Sequence, residues 1–202
     1  MRRFLRRYWP VLLVLLPVLA VAALYAWITW STREPPNWSK IDDGLYLGGR
    51  VPKPPPGTQA VLNLCEAEDS YHLTSERWQP IHDAPPAPSL EWLESQVQFI
   101  ESERSAGKTV YVHCAAGNSR GGMVVIAYYM KQNGCSRDEA LEYVRQRRPS
   151  VKPNPAFMEL LLEWEKVLKA KSSSAFLRHE PVLSPSARLV VHRDHLLQPL
   201  TW

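Results

Sequence analysis

The sequence predicts an α/β domain in which helices cover both faces of a small central sheet, with one transmembrane helix before it. Two observations lead to this prediction. Between Ile41 and about Leu168, short apolar segments bounded by glycine or proline alternate with segments of helical periodicity. Before them, PVLLVLLPVLAVAALYAWITW gives about 20 uncharged residues, enough to cross roughly 30 Å of hydrocarbon.

The composition of the 202-residue chain fits one globular domain with additional segments. The net charge of +4 comes from four arginines within the first seven residues, and the remainder is balanced. Such a basic terminus is not a nucleic-acid-binding face, so we expect no nucleic-acid partner. The three cysteines include no CxxC pair and the histidines have no ligand spacing. We therefore expect neither a disulfide scaffold nor a metal site.

Residues 1–30 are predicted to be a membrane anchor, and residues 31–39 a short linker. Tryptophan and tyrosine near both ends of the apolar segment are typical of a membrane interface. The arginines before the segment place the N-terminus in the cytoplasm of a single-pass protein. Two alternatives remain open, a signal peptide cleaved near Ala20-Val21-Ala22 and a mitochondrial import sequence without any acidic residue before Glu34.

The domain is predicted to occupy residues 40–170. Its strands are expected at four short apolar segments: GLYLGG, AVLNLC, WQPI and TVYVHC. The last of these is nearly all apolar, which is typical of a central strand buried on both faces. The segment 171–202, rich in serine and proline with scattered charge, is predicted to be largely disordered.

Four helices are predicted from periodicity and capping signals. The first begins at Pro88-Ser89 and ends at Gly107, and the second is the buried segment MVVIAYYMKQN, ended by Gly134. A capping box at Ser136 begins a third helix that ends at Arg147. The fourth begins at Asn154-Pro155.

A lone cysteine lies in the loop VHCAAGNSRGG, between the predicted central strand and the next helix. This end of a strand is where α/β sheets bind ligands. Gly117 permits a tight turn, and successive backbone amides before a helix can bind an anion. Arg120 offers a planar fork for two phosphate oxygens. Because amides and a guanidinium favour a thiolate, Cys114 is the predicted nucleophile.

The segment HCAAGNSR has the His-Cys-x5-Arg pattern, and residues 38–168 resemble the dual-specificity phosphatase family of cysteine-dependent phosphatases. Three further segments carry the resemblance in the same order: Asp83 in WQPIHDAPPAPS, the helix MVVIAYYM, and RRPSVKPNPAFMELLLEWE. The resemblance implies the cysteine-phosphatase fold and a two-step reaction through a cysteinyl phosphate, without metal or cofactor. Cys114 would attack phosphorus, Arg120 would stabilise its oxygens, and Asp83 would act as acid and then base.

The resemblance also implies which residues surround the phosphate. These are the loop residues and one residue that braces them: His113, Ala115, Ala116, Gly117, Asn118, Ser119, Gly121 and Asn154. Asp83 has upstream acidic rivals in Glu66, Glu68, Asp69 and Glu76, and Asn154 also suits a helix N-cap. Gly121 departs from the family, which has serine or threonine there, so we expect slower breakdown of the intermediate.

The expected substrates are proteins that carry phosphotyrosine, phosphoserine or phosphothreonine. A lipid phosphate at the membrane is the second candidate, although Ala115, Ala116 and Asn118 lack the basic charge that lipid phosphatases of this kind place in the loop. A weakly catalytic protein that only binds phosphorylated partners is the third. The side of the membrane on which the domain lies stays open. The N-terminal arginines predict that the domain is exported, whereas a thiolate enzyme favours a reducing compartment.

Overall fold

The computed structural model describes residues 2–31 and 36–178, and the chain divides into two compact units between Asn37 and Trp38. The described part of the first unit is the helix α1, over Arg2–Ser31. Its described side chains, at residues 14–28, are all exposed. Within these described ranges, no helix reaches the combined length and hydropathy that a membrane crossing requires.

The second unit is an α/β domain with one five-stranded sheet. Its elements in chain order are β1 (Trp38–Asp42), β2 (Leu45–Gly48), β3 (Thr58–Asn63), β4 (Ser75–Trp78), α2 (Leu90–Ser105), β5 (Thr109–His113), α3 (Arg120–Asn133), α4 (Arg137–Arg147) and α5 (Pro155–Arg178). The strand order is β1-β2-β5-β3-β4. Among the described strands, β1 alone runs antiparallel to its neighbour, and the others are parallel.

The central strand β5 brings the functional loop to one edge of the sheet. Its residues 110–113 are completely buried. Because successive side chains of a strand point to opposite faces, both faces of the sheet must be covered here, as predicted. His113, the last residue of β5, pairs with Gly48 of β2 and with Asn63 of β3. The carboxyl ends of three strands therefore meet where the cysteine loop begins.

The predicted helix boundaries are confirmed by their capping contacts. The Ser89 side chain accepts a hydrogen bond from the Trp92 amide at the start of α2. At the start of α4, Ser136 and Glu139 form both halves of the capping box. Gly134 ends α3 in the left-handed conformation, with φ at 61°. These short-range signals operate as the sequence indicates.

Three predicted boundaries are wrong. Strand β1 begins at Trp38, inside the predicted linker 31–39, because the polar segment WSKID pairs with β2 through the backbone. The strand predicted at WQPI instead covers Ser75–Trp78, and Pro80 has no amide hydrogen with which to continue the pairing.

The third correction concerns the predicted disordered segment 171–202. Helix α5 continues through residues 171–178. A salt bridge of 2.6 Å joins Lys171 to Glu94 of α2, and the Ser172 and Ser173 hydroxyls donate to the Lys169 carbonyl. These contacts give the polar segment 171–173 local partners. Residues 179–202, for which disorder is also predicted, lie outside the described residues.

Candidate active site

Cys114 follows β5 directly, at the floor of the predicted phosphate loop. It is 2% exposed, and its amide donates to the Gly48 carbonyl over 3.3 Å. Its Sγ atom accepts a hydrogen bond of 3.3 Å from the Gly117 amide. The sulfur atom is therefore held in place by the backbone of its own loop.

The carbonyl groups of residues 115–118 accept hydrogen bonds from residues outside the loop. The Ala115 carbonyl accepts from the Arg50 amide over 3.1 Å, and the Asn118 carbonyl accepts from the Lys152 amide over 3.0 Å. The carbonyls of Ala116 and Gly117 accept from one buried guanidinium, that of Arg148, each over 2.9 Å.

This arrangement determines where the loop amides point. The C=O and N–H groups of a trans peptide point in opposite directions. Outward carbonyls at residues 115–118 therefore turn the amides of residues 116–119 toward the inside of the loop. The N-terminus of α3, at Arg120, follows at once. The loop and the helix terminus together form a nest that suits a phosphoryl group.

Position 117 requires glycine for two reasons, its backbone conformation and the lack of room for a side chain. Its φ of 75° lies in the left-handed region, where residues with a side chain are strained. A Cβ atom there would lie 2.2 Å from the Gly48 carbonyl carbon and 2.6 Å from the Gly49 nitrogen. The loop therefore packs directly on the backbone at the end of β2, as its glycine predicts.

The Arg120 guanidinium is held through one of its two terminal nitrogen atoms. Its Nη1 atom donates to the Glu66 carboxylate over 2.8 Å and to the carbonyls of Ile81 and Leu64 over 3.0 and 3.3 Å. Its Nε atom is buried and has no hydrogen-bond partner among the described residues. A guanidinium fixed in this way keeps its other edge available for a phosphoryl oxygen.

Electrostatics keep Arg120 and Glu66 ionised. Burial lowers the pKa of Arg120, but the Glu66 hydrogen bond and the charge of Cys114 outweigh burial and raise it. The hydrogen bond from Arg120 in turn lowers the pKa of the Glu66 carboxyl. The sequence offered Glu66 only as a rival to Asp83; the structure makes it the partner that orients the arginine.

The His113 ring is held in the interior of the domain. Its ring is completely buried, stacks on Tyr111, and contacts Asp69 through Nε2 at 2.9 Å and the Cys65 sulfur through Nδ1 at 3.7 Å. A ring shielded in this way cannot contact substrate. His113 is therefore a positioning side chain rather than a substrate-binding one, and its ring is fixed by Asp69, which the sequence offered only as a rival to Asp83.

The neighbouring thiol Cys65 remains protonated. Burial, followed by the charge of Cys114, raises the pKa of Cys65 to about 11. All three cysteines of the chain are free. Cys114 is thus the thiol that combines an amide donor with a nearby guanidinium.

Asp83 lies beside the loop in a network that also contains Ser119 and Asn154. Its Oδ1 atom accepts from the Ser119 hydroxyl over 2.6 Å and from the Asn154 side chain over 2.9 Å. Asp83 is an exposed residue. Asn154 also caps α5 by accepting from the Phe157 amide over 3.0 Å. Both roles considered for Asn154 therefore occur together.

The remaining predicted residues lie at the rim or beneath the loop. The side chains of Ala115 and Ala116 are exposed, and Asn118 accepts from the Ser150 hydroxyl. A Cβ atom at Gly121 would lie 2.9 Å from the Leu47 Cδ1 atom, which explains the small residue there.

Sequence reasoning missed Arg148, because an arginine next to Arg147 looks like a solvated charge. Within residues 2–31 and 36–178, no three His, Cys, Asp or Glu residues are grouped to hold a metal.

Comparison with known proteins identifies similar domains. The family model described as "Dual specificity phosphatase, catalytic domain" matches residues 56–167, more than half of the chain. Dual specificity protein phosphatase 1-A of Xenopus laevis is 41% identical over 96 residues, which cover 48% of this chain and 26% of the relative. Dual specificity protein phosphatase 8 of Homo sapiens is 43% identical over 107 residues, covering 53% and 17% respectively. The chain thus spans about a quarter or less of these two relatives.

One solved structure extends the similarity to the fold. It is described as a "mouse putative dual specificity phosphatase complexed with zinc tungstate", and it matches with a TM-score of 0.64 and 26% sequence identity. The match covers 69% of this chain and 92% of that one. The similarity therefore includes nearly the whole of the smaller protein.

We predict that Gly117→Ala abolishes phosphate binding and activity. The added methyl group collides with the backbone of Gly48 and Gly49, so that the loop must open and its amides lose their alignment. The measurements are activity on an aryl phosphate, inhibition by tungstate and thermal unfolding. We expect a loss of activity of at least about 10²-fold, the typical effect of losing one oxyanion donor.

Gly107→Ala is the matched control. Gly107 has the same φ of 75°, but a Cβ atom there would meet nothing within 4 Å. The Gly107→Ala variant therefore shows the effect of backbone strain alone, about 1 kcal/mol, without the collision. Equal activity losses in the two variants would contradict the proposed role of the contact between Gly117 and Gly48.

Proposed function

This chain belongs to the dual specificity phosphatase catalytic-domain family, and on that premise we propose that it hydrolyses phosphomonoesters through a cysteinyl phosphate on Cys114. One observation carries the proposal. The thiol lies beneath inward-facing amides and beside a guanidinium whose buried Nε atom has no partner among the described residues. Such a pocket stabilises a trigonal array of phosphoryl oxygens around an attacking sulfur.

The first step transfers the phosphoryl group to sulfur. The Cys114 thiolate donates an electron pair to phosphorus, and the bond from phosphorus to the leaving oxygen breaks. Arg120 and the loop amides hold the three phosphoryl oxygens as their negative charge spreads. Asp83, in its protonated form, gives its proton to the leaving oxygen.

The second step returns the enzyme to its starting state. Asp83 is now a carboxylate, and it takes a proton from water as the water oxygen attacks phosphorus. The bond between phosphorus and Sγ breaks, which releases inorganic phosphate and the Cys114 thiolate. The hydrogen bond from the Gly117 amide stabilises the departing sulfur.

Phosphorylated proteins are the proposed substrates, on phosphotyrosine, phosphoserine or phosphothreonine. The curated relatives are named as protein phosphatases, and the exposed Ala115 and Ala116 leave the loop rim without a basic side chain. A lipid phosphate is the second candidate, supported by the apolar helix α1 and its exposed side chains.

We predict that Cys114→Ser lowers turnover at least about 10³-fold, because an alcohol is a far poorer nucleophile than a thiolate. Asp83→Asn should lower kcat about 10²-fold on a phosphate ester with a basic leaving group, which needs the proton. The loss should be much smaller with p-nitrophenyl phosphate, whose leaving group departs as an anion. Initial rates of the full chain on both esters give the comparison.

Asp138→Asn serves as the control, since this carboxylate is exposed on α4. It should leave both rates unchanged. If wild type is no faster than Cys114→Ser on esters, phosphopeptides and lipid phosphates, the chain is not a phosphatase. Binding of phosphopeptides without turnover would then favour the phospho-binding alternative.

We predict burst kinetics from Gly121, which lacks the hydroxyl that relatives offer to the departing sulfur. Product should appear rapidly in an amount equal to the enzyme, and steady turnover should follow about 10-fold more slowly. Gly121→Ser should raise the steady rate once the Leu47 side chain has moved aside. Stopped-flow detection of the leaving group measures both phases.

Gly122→Ser is the control for this change. A Cβ atom there would also come within 2.9 Å of one side-chain atom, in this case Val151 Cγ1. The Gly122→Ser variant disturbs packing to a similar extent, but it places no hydroxyl at position 121. Kinetics without a burst, or an equal rate gain in both variants, would refute this role for the missing hydroxyl.

No described helix meets the length and hydropathy of a membrane crossing, but the uncharged segment of about 20 residues after the N-terminal arginines leads us to predict that α1 anchors the protein in a membrane. The full chain should sediment with membranes, resist extraction by alkaline carbonate and dissolve in detergent. Leu15→Arg together with Leu19→Arg should release it, because an arginine near the middle of a spanning helix costs about 2.5–3.5 kcal/mol. Release of the unaltered chain by carbonate alone would contradict the anchor.

A further inference from the structure

The short segment before α5 runs along one side of the cysteine loop and contacts it at three points. The Ser150 hydroxyl donates to the Asn118 side chain over 2.9 Å, and the Lys152 amide donates to the Asn118 carbonyl over 3.0 Å. The Asn154 amide donates to the Ser119 hydroxyl oxygen over 3.1 Å. The backbone of Lys152, in the middle of this segment, is therefore fixed directly beside the loop.

The neighbours of Lys152 determine the direction of its side chain. Val151 and Pro153 are buried, and their Cγ1 and Cγ atoms lie 2.9 and 3.8 Å from the position that a Cβ atom of Gly122 would take. Both side chains therefore face the start of α3. A residue before proline is confined to extended backbone, in which successive side chains point in opposite directions. The Lys152 side chain accordingly points away from α3 and is exposed.

The ammonium group of Lys152 makes no hydrogen bond and no ion pair with any described residue. Other lysines of the domain each have a carboxylate oxygen within 2.7 Å: Lys40, Lys108, Lys131, Lys169 and Lys171. Asp83, which Asn154 holds on this side of the loop, forms no salt bridge with Lys152, and it is protonated in the proposed first step. The charge of Lys152 is therefore available to a substrate.

The other side of the loop has a different charge. There the Arg50 amide donates to the Ala115 carbonyl, and the Arg50 Nη2 atom donates to the Glu68 carbonyl over 2.6 Å. Glu68 and Asp69 bring two carboxylates to this side. An acidic side chain of a substrate would meet these carboxylates beside Arg50, whereas beside Lys152 it meets an unpaired cation. A substrate carboxylate is therefore favoured on the side of Lys152.

We propose that Lys152 selects protein substrates that have an acidic residue close to the phosphorylated one. This rests on the proposed phosphatase function. Backbones joined by hydrogen bonds lie about 5 Å apart, so Lys152 begins one such spacing from Asn118. Its flexible four-carbon stem carries the ammonium group outward, to the path of the substrate chain. Because an extended peptide advances about 3.3 Å per residue, the acidic residue is expected one or two positions from the phosphorylated one.

The experiment measures kcat/KM of the full chain on paired phosphotyrosine peptides. Each pair has glutamate or glutamine, which has nearly the same shape without charge, one or two positions to either side of the phosphotyrosine. We expect glutamate to be favoured about threefold at one of these positions, which is the size of an exposed ion pair. The preference should disappear in about 1 M NaCl, where charges are screened beyond about 3 Å.

Substitutions at Lys152 test whether its charge is responsible. Lys152→Met, which keeps an apolar stem, should remove the preference, and Lys152→Arg should retain it. Lys152→Glu should reverse the preference in favour of glutamine. Lys166→Met is the matched control, because Lys166 is also exposed and without an ion pair to any described residue, but lies about 16 Å along α5 from its start. It should keep the preference of the unaltered chain.

The ratio within each pair cancels changes in the chemical step. Equal rates for glutamate and glutamine at every position would overturn the proposal, as would a preference that Lys152→Met retains. Binding of the same peptides to Cys114→Ser, measured by calorimetry, separates this proposal from the phosphatase function. A Lys152-dependent preference for glutamate without any turnover would remove the function and keep the role of Lys152, whereas turnover without the preference would do the reverse.

Discussion

The chemistry of this site depends on four peptide carbonyls that point away from it. Two backbone amides and one guanidinium, that of Arg148, hold these carbonyls on the outer side of the loop. The rigid peptide plane then turns the matching amides inward, where they meet the Cys114 sulfur and the phosphoryl oxygens. Because the donors are fixed before substrate arrives, little reorganisation is needed during the reaction, which is how such pockets lower a barrier.

Short-range features of the domain could be predicted from the sequence. The buried strand β5, the capping box at Ser136 and the end of α3 at Gly134 depend on residues close together in the chain, and each occurs as expected. Cys114 and Arg120 were identified because their spacing within one loop is itself short-range. Strand β1 was missed because its polar segment forms a strand only through pairing with β2.

The parts of the site that could not be predicted are long-range contacts between charged residues. Asp69 binds His113 across 44 residues of sequence, and Arg148 reaches Gly117 across 31. In a sequence, each looks like one more solvated charge. Their function appears only when the fold buries them, since a buried charge persists only if it is paired or hydrogen-bonded. Glu66 is a similar case, because its role in orienting Arg120 appears only when the fold brings the two side chains together.

The position of Arg148 in the chain has a consequence for protein synthesis. The ribosome releases Cys114 before the residues that shape its loop, and domains assemble as their segments emerge. Until Arg148 has emerged, the Ala116 and Gly117 carbonyls lack their donor. The phosphate-binding loop is therefore completed only at a late stage of folding. The order of the sequence thus places the thiol in the growing chain before the residues that hold its loop.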